Sequence, residues 1–207
     1  MSTPEIGSNT HQTTISLEAF GAAEGTPDDA EPSSLRVLTV GRDDAYIGII
    51  TKEGFPVTAH FLDDSEGWPR GYVHCLGDEC PACQAGMKPN SFIYLPVLEL
   101  STAQVALLRV SSLRGPGKLI TELERVMDHP HIENLVLKVS REGSYVYSVQ
   151  VVSEKEHDPD AIRAVQQFRS MLEAGSIEPT ASVTKMPSKE MANHPRIQRI
   201  LQLQGLN

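Results

Sequence analysis

The chain of 207 residues contains three cysteines, and all fall within nine positions as Cys75-x4-Cys80-x2-Cys83. They sit in the run His74-Cys75-Leu76-Gly77-Asp78-Glu79-Cys80-Pro81-Ala82-Cys83. Thiolates held this close by local backbone suit a soft tetrahedral ion, and the Cys80-x2-Cys83 pair can form a tight ligand-bearing turn. A zinc ion needs a fourth ligand, and His60 and His74 are near enough to supply it. His74 adjoins Cys75, and neighbouring side chains of an extended segment point to opposite faces. His60 lies in Pro56-Val57-Thr58-Ala59-His60-Phe61-Leu62, a strand that can pair with Gly71 to Cys75 and bring its imidazole across to the sulfurs. His60 is therefore the preferred fourth ligand of one structural zinc, with His74 as the alternative.

Competing chemistries fit less well. Gly77, Asp78 and Pro81 are turn residues, so the cysteines are not inert hydrophobes of a buried strand. A disulfide framework calls for an even count and an exported chain. Met1 to Gly25 shows no basic start followed by an apolar run, so a reducing, cytoplasmic setting is expected. A plant-type iron–sulfur centre needs a distant fourth cysteine, which the sequence lacks. Zinc deaminases carry His-x-Glu and Pro-Cys-x-x-Cys. Here proline stands inside the pair, and neither His60 nor His74 is followed two residues later by Glu. Four protein ligands leave no open coordination position, so the site reads as a staple and the protein as a non-enzyme.

The elements that must position this block are mostly strands. Leu35 to Val40, Ala45 to Ile50, Phe55 to Leu62, Gly71 to Cys75, Phe92 to Leu100 and Val105 to Val110 are apolar or β-branched runs separated by turn residues. Leu119, Ile120, Leu123, Val126 and Met127 then mark one face of a helix, and Leu135–Val139 with Tyr145–Val151 read as a closing hairpin. The expected fold is mainly β with accessory helices (α+β): a small barrel of the oligonucleotide/oligosaccharide-binding type carrying a zinc-binding insertion, with a β-sandwich as the competing architecture. Three regions are expected: a flexible acidic tail over 1–32, the barrel over 33–152 and a helical extension over 153–207. Asp158 and Pro159 open one helix of that extension, Gly175 stops it, and a second begins near Pro195. Packing on the barrel is expected for the first helix only.

Charge follows the same division. The net charge is −9, and residues 1–32 hold six acidic groups and no Lys or Arg. Residues 33–150 carry 11 basic and 14 acidic groups, so any anion-binding groove depends on local clustering. The order of His60, Cys75, Cys80 and Cys83, an aromatic strand, its hairpin partner and a helix resembles the zinc-containing single-stranded-DNA-binding proteins of T4-like phages. The resemblance spans about residues 35–152. It implies that His60, Cys75, Cys80 and Cys83 bind zinc, and that Tyr94 and the basic stretch Arg109, Arg114, Lys118 contact DNA. Two departures are plain: the acidic tail lies at the opposite terminus, and the family's basic N-terminal segment is absent.

The chemistry of strand binding needs cations and exposed π-faces, each stacked base contributing about 1–3 kcal/mol. Tyr94, Tyr145 and Tyr147 are the main candidates for faces, beside Phe55, Trp68 and Tyr72. Lys52, Arg70, Arg109, Arg114, Lys118 and Lys138 are candidates for phosphate contact, with Lys88 and Arg141 as further groove-lining groups. The expected partner is single-stranded nucleic acid, DNA before RNA, and no membrane. The acidic tail or the C-terminal helices could engage replication or recombination proteins, and the tail could occupy the groove until displaced. A zinc-stapled protein-interaction module without nucleic-acid binding is the alternative function.

Overall fold

A computed structural model describes residues 35–62, 71–154 and 159–205. The acidic tail, Trp68, Arg70 and the Asp158 cap lie outside the described residues. Among the described residues, eight strands form one sheet: β1 (Val37–Leu38), β2 (Ala45–Ile49), β3 (Phe55–Leu62), β4 (Gly71–His74), β5 (Asn90–Glu99), β6 (Gln104–Ser111), β7 (Leu135–Arg141) and β8 (Tyr147–Glu154). The helices are α1 (Pro81–Gln84), α2 (Leu119–Met127), α3 (Pro159–Glu173), α4 (Ser188–Ala192) and α5 (Pro195–Leu203).

The long β5–β6 hairpin is the spine, and the sheet forks along it. The second half of β5 pairs with β2, which continues to β7 and β8, whereas its first half pairs with β3, which continues to β4. On the far side β6 takes the short parallel strand β1. The protein is thus α+β around a large open sheet. The closed barrel expected from the strand pattern is not formed: among the described residues no strand pair joins the fork's two branches or returns β8 or β4 to β1. Strand order, not strand content, decides closure, and the split of β5 between two partners sends the chain along two branches.

Alternation along the strands sorts the core. Ile47 and Ile49, Leu95 and Val97, Ala106, Leu108 and Val110, and Leu137 and Val139 face one way and pack under Leu119, Ile120 and Leu123 of α2. The opposite face is covered at one end by α3, where Ala161 and Phe168 meet Leu98 and Val105. Gly175, in the left-handed conformation, ends α3: its amide donates to Leu172 and the Ser176 amide to Met171. The expectation that only this helix packs on the body is corrected, because α4 and α5 are also docked, on the cysteine-bearing lobe. The apolar residues that dock them, Met186, Met191 and Ile197, lie in a stretch whose periodicity is broken by Pro187 and Pro195.

Candidate functional site

The cysteine lobe is assembled by strand register and a one-turn helix. Within the β3–β4 hairpin His60 stands opposite Val73, and Ala59 opposite His74. Side chains alternate, so His60, Val73 and Cys75 share one face while His74 points to the other. The Cys75 amide donates to the Thr58 carbonyl at 2.9 Å, which extends that register to the first sulfur. A left-handed Gly77 then turns the chain through a short 3-10 segment, Gly77–Glu79. Cys80 is the extended residue before α1, and Pro81 sits at the first helical position, where a missing N–H costs nothing. Gly86 closes α1, with Gly86 N donating to Cys83 O at 2.8 Å and Met87 N to Ala82 O at 2.9 Å. Turn, one helical turn and turn again aim Cys80 and Cys83 back at the hairpin.

The ligand atoms of His60, Cys75, Cys80 and Cys83 all lie within 4.8 Å of one another. Cys75 Sγ and Cys83 Sγ are 3.6 Å apart, and Cys83 Sγ is 3.3 Å from His60 Nε2. In a tetrahedron with metal–sulfur bonds of about 2.3 Å and metal–nitrogen bonds of about 2.0 Å, the edges are about 3.5–3.8 Å. The four residues therefore fit a single ion. His60 is fully buried, its Nε2 is turned to the sulfurs, and burial holds its pKa below the usual range, which keeps the imidazole neutral and able to ligate. Burial pushes the Cys83 thiol up to about 12, helped by its contact with Cys75 and by the charge of Cys80. Burial acts on Cys80 in the same upward sense, but backbone hydrogen bonds from Leu76, Cys83 and Ala82 outweigh it and leave that thiol lowered. Three thiolates cannot share this volume without a cation, and a bound cation removes the conflict. The arrangement can hold a metal ion with four protein ligands and no vacant position. His74, the alternative, takes no part.

The candidate nucleic-acid residues divide into groups. Tyr94 is a correction: at 3% exposure it is a core residue beside Val57, Phe92 and Leu107 and offers no face for stacking. Tyr145 is the opposite case, 69% exposed at the β7–β8 turn. Lys118 Nζ lies 5.6 Å from its ring centre and the Arg141 guanidinium 6.0 Å, and Arg141 is also 6.0 Å from the half-buried Tyr147 ring. The turn is tied down because Arg141 donates to the carbonyls of Gly143 and Ser144, and Tyr147 N donates to Gly117 O at 2.8 Å. The structure thus brings Lys118, Tyr145 and Tyr147 together. Arg114 is exposed nearby in sequence but ion-paired with Glu124 at 2.7 Å, and Lys138 is ion-paired with Asp44 at 2.7 Å. Lys52 stands exposed in the β2–β3 turn and joins neither group.

Arg109 belongs to a second arrangement on the sheet face opposite α2. Its guanidinium lies 4.9 Å from the Tyr72 ring centre and 5.5 Å from that of Phe92, with Phe61 edge-on to Tyr72 at 5.2 Å. Among the described residues no carboxylate pairs with Arg109. Arg141, expected only as a further groove-lining group, proves central to the Tyr145 turn, whereas the part played by Phe92 was not apparent from the sequence. No signal in the sequence pointed to Met191, whose Sδ lies 3.6 Å from Cys80 Sγ across 111 positions.

No protein-family model matches the chain, and neither the curated proteins nor the solved structures compared with it provide a match. The fold and site by themselves define its class: an α+β protein with an open sheet and a three-cysteine, one-histidine centre able to hold a metal ion. None of the described helices is long and apolar enough to cross a membrane.

Proposed function

We propose that the protein is a zinc-stabilised single-stranded-DNA-binding protein that acts in DNA replication or recombination, as in phages, without catalysis of its own. Zinc is the ion favoured by three sulfurs and one imidazole at tetrahedral separations, and a closed ligand set suits a structural role. The observation that carries nucleic-acid binding is Tyr145, an exposed ring held on a fixed turn between Lys118 and Arg141. A base can stack on that ring while its phosphates meet the two cations. Arg109, flanked by Tyr72 and Phe92 and lacking a carboxylate partner among the described residues, offers a further anion contact. The preference for DNA comes from the resemblance to the phage proteins.

A second reading has its own observation. Val151 and Val152 are each nearly half exposed on β8, a strand paired only with β7 among the described residues, and such an edge can receive a protein partner. Titration of the zinc-loaded protein against fluorescein-labelled oligo(dT) separates the two. Strand binding gives saturable anisotropy whose log Kd rises with log salt by about 0.7 per phosphate neutralised. Absence of binding at low salt rejects the first reading in favour of the interaction module.

A further inference from the structure

The two last helices pack on the cysteine lobe. Met186, Met191 and Ile197 are buried in one apolar cluster with Leu62, Val73, Cys80, Ala82 and Ala85, against which Cys75 and Cys83 also pack. None of those three belongs to the clusters under α2, under α3 or around Tyr94. Three contacts pin the segment: His74 N donates to Thr184 O at 3.0 Å, Met191 Sδ lies 3.6 Å from Cys80 Sγ, and the Gln204 side-chain amide donates to Ala85 O at 3.4 Å. Each reaches the cysteine-bearing loop or the strand leading into it.

Neither side of this contact is stable alone. With five residues in α4 and nine in α5, both fall below the roughly 12–15 residues at which isolated helices begin to persist in water. Their seat is α1, a single turn of four residues whose direction is set by where Cys80 and Cys83 must point. A bound ion would add bonds to ligand atoms that lie within 4.8 Å of one another, and losing those bonds would loosen the surface that receives Met191 and Ile197.

We propose that residues 184–204 form a clamp whose seat is the loaded metal centre, so that ion occupancy and clamp position form one coupled equilibrium. The coupling is reciprocal: the ion holds the clamp down, and the clamp raises affinity for the ion. The clamp rests on the metal reading and is independent of nucleic-acid binding.

The test uses the full chain, with zinc content measured before and after treatment with a chelator. Hydrogen exchange read by mass spectrometry is expected to show that the amides of Met191, Asn193, His194 and Gln198 lose at least about tenfold of their protection on zinc removal, while β5 and β6 keep theirs. A second arm replaces a residue that supplies no ligand. Ile197→Ala is expected to weaken zinc binding at least about tenfold, equivalent to about 1.4 kcal/mol, in competition with a chromophoric chelator. Ile197→Val shifts it less in the same direction and serves where the alanine variant fails to fold. Unchanged protection of α4 and α5 after verified zinc removal overturns the clamp, as does wild-type affinity in the Ile197 variants. A chain that takes up no zinc overturns the metal reading and the clamp together, whereas zinc uptake with an indifferent clamp overturns the clamp alone.

Discussion

Replacing Tyr145 by alanine isolates the proposed stacking platform. The ring is 69% exposed and serves no core, so its loss should leave folding within about 0.5 kcal/mol of the wild type. In binding, the ring meets one base, and a stacked base contributes about 1–3 kcal/mol. The expected loss of affinity for oligo(dT) is therefore between about fivefold and about 150-fold at fixed salt. Tyr145→Phe keeps the π-face and should bind within about twofold of the wild type, because stacking does not require the hydroxyl. Lys118→Gln removes one cation beside that ring and should lower the log–log salt slope by about 0.7. Anisotropy titrations at several salt concentrations, each paired with a thermal melt, measure all three variants. Wild-type affinity in Tyr145→Ala with an unchanged melt would refute the platform, and a loss shared equally by Tyr145→Phe would refute stacking as its cause.

The other expectations concern the metal centre and the scaffold. His60→Ala should strip or severely weaken metal binding, while His74→Ala, on the other face of the hairpin, should retain one ion per chain in elemental analysis. Acidification should release the ion, because each thiol regains its proton. Cys83, pushed up to about 12 without a cation, holds its proton most tightly. His60 has a folded-state pKa depressed by burial, so its contribution to stability is present above about 6.5, its unfolded value, and is lost as pH falls through the lower folded one. Metal retention followed by chelator capture between about pH 8 and pH 5 should therefore fall monotonically with acid, and retention that rises with acid would contradict the ligand set. Ala103 is a non-glycine residue with φ of 52° in the β5–β6 turn, so Ala103→Gly should relieve about 1 kcal/mol of backbone strain. Calorimetry should show a melting temperature higher by about 2–4 °C.

Much of this architecture was legible along the chain. Apolar and β-branched runs bounded by turn residues announced the strands, from Phe55–Leu62 to the closing hairpin, and the apolar spacing from Leu119 to Met127 announced α2. These signals are local, since burial on one face imposes the repeat wherever the element packs. The cysteine spacing similarly located a block able to hold a metal ion, because Gly77, Pro81 and Gly86 bend the backbone whatever surrounds it.

Long-range partnership was not legible. The pairing of β5 with both β2 and β3 turned an expected barrel into an open forked sheet, and no residue of β5 advertises that choice. Tyr94 and Tyr145 both fall in runs that read as strands, yet Tyr94 lies buried within β5 while Tyr145 stands exposed on the turn that precedes β8. The choice of His60 over His74 required the register of β3 against β4, and the covering of Cys80 by Met191 required two helices from the far end of the sequence. Sequence alone determined which residues could do chemistry and the local turns that present them. Tertiary structure decided which of them meet, because meeting is a property of register and packing between segments that share no local code.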